Sequence, residues 1–281
     1  MALVPFPTQN RDDEPNLPAK PGGFSPFGDD DEPAGEGRMT FLEHLDELRK
    51  RITHAVAGLF VGFIISFSII NRVFDFVYMR LVAAVPSGKL IYTEAGEMFM
   101  LWIKIAALTG VLIASPYIML QVWLFIAPGL YAKEKKLAIP FVLTSTTLFI
   151  SGAAFSHYFV FPAAWNFFAS FSNSYIEFLP RVDPIFGMYV KLMLGIGLTF
   201  QLPVIMFVLA RLGIVTAGFL LRNFKYAVLL IFIFAAVITP DGNPVTQVMV
   251  GGPMVVLYVM GIGAAWLFGK SKKTDPDDKE S

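Results

Sequence analysis

Six apolar runs divide the central part of this 281-residue chain, and short polar or charged segments separate them. The runs cover residues 52–70, 98–127, 137–161, 192–212, 226–238 and 248–268. A helix needs about 20 residues to cross roughly 30 Å of hydrocarbon, because each residue adds about 1.5 Å of rise. Four runs reach that length easily, which predicts an all-α polytopic membrane protein with six transmembrane helices.

The last two runs predict shorter helices than the others. The fifth run, residues 226–238, would reach only about 20 Å, so we expect a short helix and a locally thinned bilayer beside it. The sixth run, residues 248–268, is interrupted by several glycines and by Pro253. We therefore expect the membrane domain to end in two short helices.

Basic residues between the runs predict the orientation. If the N-terminus is cytoplasmic, the inner segments carry 13 Lys and Arg residues and the outer loops carry five. Cytoplasmic loops of membrane proteins are enriched in Lys and Arg. Both termini are therefore expected on the cytoplasmic side.

The ends of the chain differ in composition from its centre. Residues 1–38 are rich in Pro and acidic residues and contain no apolar run, which predicts a disordered tail. Residues 269–281 form a short charged tail, predicted to be cytoplasmic. The predicted membrane domain is residues 39–268.

Composition excludes several kinds of chemistry. The chain is 55% hydrophobic and 16% charged, its formal net charge is zero, and it contains no Cys and three His. A zero net charge gives no electrostatic reason to expect a nucleic-acid partner. The absence of Cys excludes thiolate metal sites and thiol nucleophiles. No motif of a hydrolase or nucleotide-binding enzyme is present. We therefore expect no enzyme activity, no catalytic residue, no metal site and no cofactor.

Two carboxylates lie among basic residues on the predicted inner surface. Glu47 lies on an amphipathic helical segment before the first span, and Glu134 lies among three lysines after the second. Each carboxylate could simply neutralise its neighbours, as an i,i+4 pair of Glu47 with Arg51 would do. Alternatively, each could bind a cation, since the Arg guanidinium matches a carboxylate in two parallel hydrogen bonds.

Polar side chains inside the runs also have two interpretations. Gln201 lies near the centre of the fourth run, where an amide must find hydrogen-bond partners. A structural bond between helices and a functional site are both open. Lys104, in the second run, is expected to extend toward the membrane surface, with a transport role as the alternative.

Several separated motifs resemble the TatC family, the largest core subunit of the twin-arginine protein translocase. They are HLDELRKR at 44–51, QVWLFIAPGLY at 121–131, KEKK at 133–136, FVFP at 159–162, FQLPV at 200–204 and TPD at 239–241. The resemblance covers about residues 39–268 and includes six spans with cytoplasmic termini. It implies a multi-pass protein of the bacterial cytoplasmic (inner) membrane.

The resemblance implies a receptor for the Arg-Arg signal peptides of folded proteins. TatA/TatB-type single-span partners would help to move the cargo, driven by the proton-motive force, and the receptor would be homo-oligomeric. The residues that match the family's signal-peptide contacts are Glu47, Glu134, Leu48, Arg49 and Phe125.

A second group of residues matches the family's intramembrane polar positions. Thr239 and Gln247 match the family's site for partner helices, and Asp241 lies in the turn between them. Family members often have Glu where this chain has Gln201. Because an amide does not titrate, a proton relay through Gln201 is not expected, whereas polar contact with a peptide or partner helix is.

Two competing hypotheses remain. A proton-coupled small-solute transporter would use Lys104, Gln201 and His157, although no acidic residue lies well inside a run. A structural membrane anchor would need neither Glu47 nor Glu134.

Overall fold

The computed structural model describes residues 41–83, 85, 88–126, 138–173, 175, 178–239 and 243–268. The two predicted tails, together with Glu134 and Asp241, lie outside these residues. Within the described part of the chain the regular structure is helical, apart from one isolated parallel bridge between Ile91 and Arg181.

The described helices follow one another along the chain with short connections. They are α1 (Phe41–Ser68), α2 (Ile70–Val82), α3 (Glu97–Ile126), α4 (Ala138–Phe155), a π-helical turn (Ser156–Val160), α5 (Phe161–Ala169), α6 (Val182–Thr199), α7 (Leu202–Arg211), α8 (Ala217–Arg222), α9 (Phe224–Ile238) and α10 (Pro244–Phe268).

The helices confirm the predicted number of spans. Five segments are long and apolar enough to cross a membrane, and α9 is a shorter apolar helix. The five segments are Leu42–Ser68, Glu97–Ile126, Ile139–Ala169, Val182–Arg211 and Pro244–Leu267. With 15 residues, α9 has the short length predicted for the fifth span.

The prediction of a short last helix is wrong. α10 has 25 residues and continues through Pro253. An apolar surrounding offers the backbone no competing water, so helices in a membrane tolerate Gly and Pro that would interrupt them in solution. At Gly251 an added Cβ would lie 3.0 Å from the ring of Phe232 on α9, and at Gly261 it would lie 2.2 Å from the sulfur of Met206 on α7. These glycines therefore allow close packing of α10 and do not end it.

Helix α2 is not indicated by the apolar runs. Its sequence mixes polar and apolar residues, and its buried side chains are Ile70, Val77 and Leu81. They recur at helical spacing on one face and join the main core. A search for amphipathic periodicity beyond the end of the first run could have found this outer helix.

A glycine contact sets the crossing of α1 and α3. A Cβ added at Gly62 would lie 2.5 Å from the carbonyl oxygen of Gly110, and one added at Gly110 would lie 2.8 Å from the backbone nitrogen of Phe63. Small residues let helix backbones approach closely in membranes. This contact holds α1, which carries Glu47, against α3, which carries Phe125.

Candidate functional site

Glu47 lies near the inner end of α1 with one carboxylate oxygen paired. Its Oε1 accepts a hydrogen bond from Nη2 of Arg51 at 3.1 Å, and the two side chains are 14% and 24% exposed respectively. The local pairing expected from the sequence is therefore present. The other oxygen, Oε2, is shielded from solvent and has no hydrogen-bond partner among the described residues. Glu47 thus retains an acceptor that a second cation could use.

Two distant motifs meet at this end of the bundle. The ring of His44 on α1 stacks on that of Phe125 on α3, with centroids 4.5 Å apart and an interplanar angle of 20°. Leu48 is half-buried, and Arg49 is exposed. The structure therefore gathers Glu47, Leu48, Arg49 and Phe125, named from separate motifs, at the ends of two adjoining helices.

The chain following Phe125 carries the second predicted carboxylate. α3 ends at Ile126, and Glu134 lies in the segment 127–137, outside the described residues. The contact of Phe125 with His44 places the start of this segment beside α1. Only eight residues separate Ile126 from Glu134 in the sequence.

Gln201 occupies a break in the fourth span. α6 ends at Thr199 and α7 begins at Leu202, with Pro203 near its start. The buried Gln201 side chain donates from Nε2 to the carbonyl oxygen of Ser145 on α4 at 2.9 Å. The amide therefore makes the structural bond between helices that was one of the two interpretations of this residue.

Polar side chains gather where α9 meets α10. The hydroxyl of Thr239 donates to the carbonyl oxygen of Ala235 at 2.8 Å, and Nε2 of Gln247 donates to that of Phe232 at 3.0 Å. Thr239 is buried, and Gln247 is half-buried. Asp241 lies outside the described residues. Thr239 and Gln247 thus satisfy polar groups of the short helix α9.

The residues of the small-solute hypothesis each have a different partner. Nζ of Lys104 forms an ion pair with Oδ1 of Asp183, which lies near the start of α6. His157 lies in the π-helical turn, and its Nδ1 lies 2.7 Å from the hydroxyl of Tyr189. With Gln201 bonded to α4, the contacts of these side chains do not assemble them into one site. Within the described residues, no group of three or more His, Cys, Asp or Glu could hold a metal ion.

An outer cluster around Glu97 was not predicted. Its carboxylate accepts hydrogen bonds from the backbone nitrogens of Thr93, at 2.9 Å, and Asp183, at 3.3 Å. Nη2 of Arg181 lies 3.6 Å from Glu97 Oε2. Glu97 thus joins the outer ends of α3 and α6. A separation of 86 residues between Glu97 and Asp183 hid this contact from motif analysis.

Comparison with known proteins identifies the architecture. Two solved structures described as the twin arginine translocase receptor TatC are 32% identical in sequence to this chain. They superpose with TM-scores of 0.69 and 0.71, over 79% and 82% of this chain and 98% and 100% of theirs. The spans and these similarities define a multi-pass membrane protein of the protein-transport class.

Sequence relatives give the family. The chain is 38% identical over 244 residues to the Sec-independent protein translocase protein TatC of Desulforapulum autotrophicum, which covers 86% of this chain and 90% of the relative. The TatC of Koribacter versatilis is 36% identical, covering 82% and 86%. The family profile for Sec-independent protein translocase protein (TatC) matches residues 43–253. The chain belongs to the TatC family and is a component of a protein translocase.

Proposed function

We propose that this protein is the receptor for twin-arginine signal peptides, with Glu47 and Glu134 as the carboxylates that bind the two arginines. The observation that carries the proposal is the free Oε2 of Glu47, next to the stacked rings of His44 and Phe125. A shielded carboxylate oxygen without a donor is costly until a donor arrives. A peptide guanidinium supplies planar donors that fit a carboxylate.

Two separate carboxylates suit two adjacent arginines. Neighbouring side chains in an extended peptide point in opposite directions, so one carboxylate cannot bind both in good geometry. Glu47 belongs to a helix and Glu134 to the segment after α3, which allows them to approach the peptide from different sides. Leu48 and Phe125 supply apolar contacts for residues beside the arginines, and Arg49 lies exposed near them.

The receptor works with other membrane proteins in this proposal. TatA/TatB-type single-span helices contact Thr239, Asp241 and Gln247, where α9 is too short to cover a full membrane thickness. Gln201 contributes a polar contact within the membrane. Transport uses the proton-motive force, no catalytic residue, metal or cofactor takes part, and the receptor is homo-oligomeric in the bacterial inner membrane.

Peptide binding to single-residue variants tests the site. In Glu47→Gln the side chain keeps its shape and loses its charge, as it does in Glu134→Gln. A hydrogen bond to a charged group contributes about 1.5–3 kcal/mol, so each variant is expected to bind an Arg-Arg signal peptide about tenfold or more weakly. Fluorescence anisotropy of a labelled peptide measures the dissociation constant.

Asp46→Asn is the matched control. Asp46 is exposed on the same helical turn as Glu47, and its replacement removes the same charge. We expect a change in affinity of less than about twofold, because exposed charges are strongly screened. Equal losses in Glu47→Gln and Asp46→Asn would reject the assigned site in favour of general attraction by negative charge.

A further inference from the structure

A cleft opens between α4, α7 and α10 in the half of the membrane nearer the cytoplasm. Its volume is about 480 Å³. The walls come from Phe141 and Thr144 of α4, Val204 and Phe207 of α7, and Ala264 of α10, with Arg211 as the charged member. An apolar cleft with one cation needs an occupant that is mostly apolar and carries a negative charge.

The depth of the cleft matches one leaflet of a bilayer. Along α4 the lining extends from Pro140 to Leu148, which is about 12 Å of helix rise. Along α7 it extends from Pro203 to Arg211, again about 12 Å. One leaflet contributes about 15 Å of hydrocarbon. Because α7 runs toward the cytoplasm, Arg211 lies at the inner end, at the level of lipid headgroups.

The size of the cleft favours a lipid chain over a protein helix. A helix with its side chains is about 10 Å wide, so a 12 Å length of it fills roughly 900 Å³. That is nearly twice the volume of the cleft. An acyl chain is much thinner and can follow the apolar wall between the two helices.

We propose that the cleft binds an anionic phospholipid of the inner leaflet, with one acyl chain between α4 and α7 and the phosphate on Arg211. The guanidinium presents planar donors to phosphate oxygens, and basic pockets between transmembrane helices on the cytoplasmic side bind acidic headgroups. Above the cleft, the bond of Gln201 to Ser145 joins α7 to α4. The lipid completes the packing between these helices below that bond.

Brominated lipids provide a direct test with the full chain. Trp123 is 2% exposed and lies behind the cleft, with its ring 4.7 Å from that of Phe141. Replacing the other three tryptophans with Phe leaves Trp123 as the single indole. Bromine quenches indole fluorescence only at short range. The protein is reconstituted in phosphatidylcholine nanodiscs containing small equal fractions of brominated phosphatidylglycerol or brominated phosphatidylcholine.

Brominated phosphatidylglycerol is expected to quench Trp123 at about one fifth of the lipid fraction that brominated phosphatidylcholine requires. This fivefold preference corresponds to about 1 kcal/mol for one cation near the membrane surface. Arg211→Gln should abolish the preference. Arg222→Gln should retain it, because Arg222 is an exposed inner-surface cation outside the cleft lining.

Thr144→Phe provides a second variant that keeps Arg211. Thr144 is exposed and lines the cleft, so a bulky ring should fill the space and reduce quenching by both lipids. Equal quenching by the two lipids in the parent protein, or a preference that survives Arg211→Gln, would overturn the proposal. Protection of Trp123 from both lipids in the parent, as a protein helix in the cleft would cause, would overturn it as well. The outcome is independent of the peptide-binding experiment.

Discussion

Gly110→Ala is expected to destabilise the crossing of α1 and α3. The added Cβ would lie 2.8 Å from the backbone nitrogen of Phe63 and 2.9 Å from its Cα. Carbon contacts are optimal at about 3.5–4.0 Å, so the two helices must separate by several tenths of an ångström or more. Both neighbours are backbone atoms, and no side-chain rotation can relieve the overlap.

The magnitude follows from two opposing effects. Overpacking in a well-packed interior costs about 1–3 kcal/mol. Ala is favoured over Gly within a helix by up to about 1 kcal/mol, which offsets part of that cost. We therefore expect a net loss of about 1–2 kcal/mol in the free energy of unfolding. Because α1 carries Glu47 and His44, peptide affinity should also fall.

Gly252→Ala is the matched control, since an added Cβ there meets no atom within 4 Å. It lies within α10 and should leave stability unchanged or slightly increased. Unfolding of the purified protein, titrated with sodium dodecyl sulfate in mixed micelles and followed by tryptophan fluorescence, measures both variants. Equal stability of Gly110→Ala and Gly252→Ala would refute the proposed close crossing.

Three further variants examine separate contacts. Arg51→Gln removes the partner of Glu47 Oε1, so an Arg-Arg peptide should bind up to about fivefold more tightly, and weaker binding would contradict competition between Arg51 and the peptide. Tyr189→Phe removes the hydroxyl beside His157 and should lower the free energy of unfolding by about 1–3 kcal/mol, whereas unchanged unfolding would show that this bond adds no stability. Gln247→Leu should reduce co-purification of TatA/TatB-type helices, and Val248→Leu, an exposed neighbour, should not; equal recovery would remove Gln247 from the partner site.

Apolar patterning predicts the spans because bilayer thickness directly limits helix length and composition. The short α9 follows from that rule, as does the presence of the four long helices before it. The rule fails for α10, where it treats Gly and Pro as breaks. In this fold Gly251 and Gly261 lie against side chains of neighbouring helices, and only the tertiary contacts reveal that purpose.

Local pairing is predictable from sequence, whereas long-range polar contacts are not. The Glu47 to Arg51 pair follows from i,i+4 spacing. The ion pair of Lys104 with Asp183 joins residues 79 apart, and no periodicity in the sequence indicates it. The resemblance to TatC selected Glu47 and Phe125 from separate motifs, and the stack of His44 on Phe125 explains physically how those motifs can form one surface.

Site-specific photocrosslinking from position 125 tests the receptor assignment most directly. A benzophenone side chain replaces Phe125 in membranes containing the full chain, and the probe is an Arg-Arg signal peptide or its Lys-Lys counterpart. The same group at Phe99, exposed at the outer end of α3, is the control. We predict a crosslink from position 125 to the Arg-Arg peptide that is lost in Glu47→Gln, and no crosslink from position 99. Equal crosslinking of the Lys-Lys peptide, or none from position 125, would contradict the account.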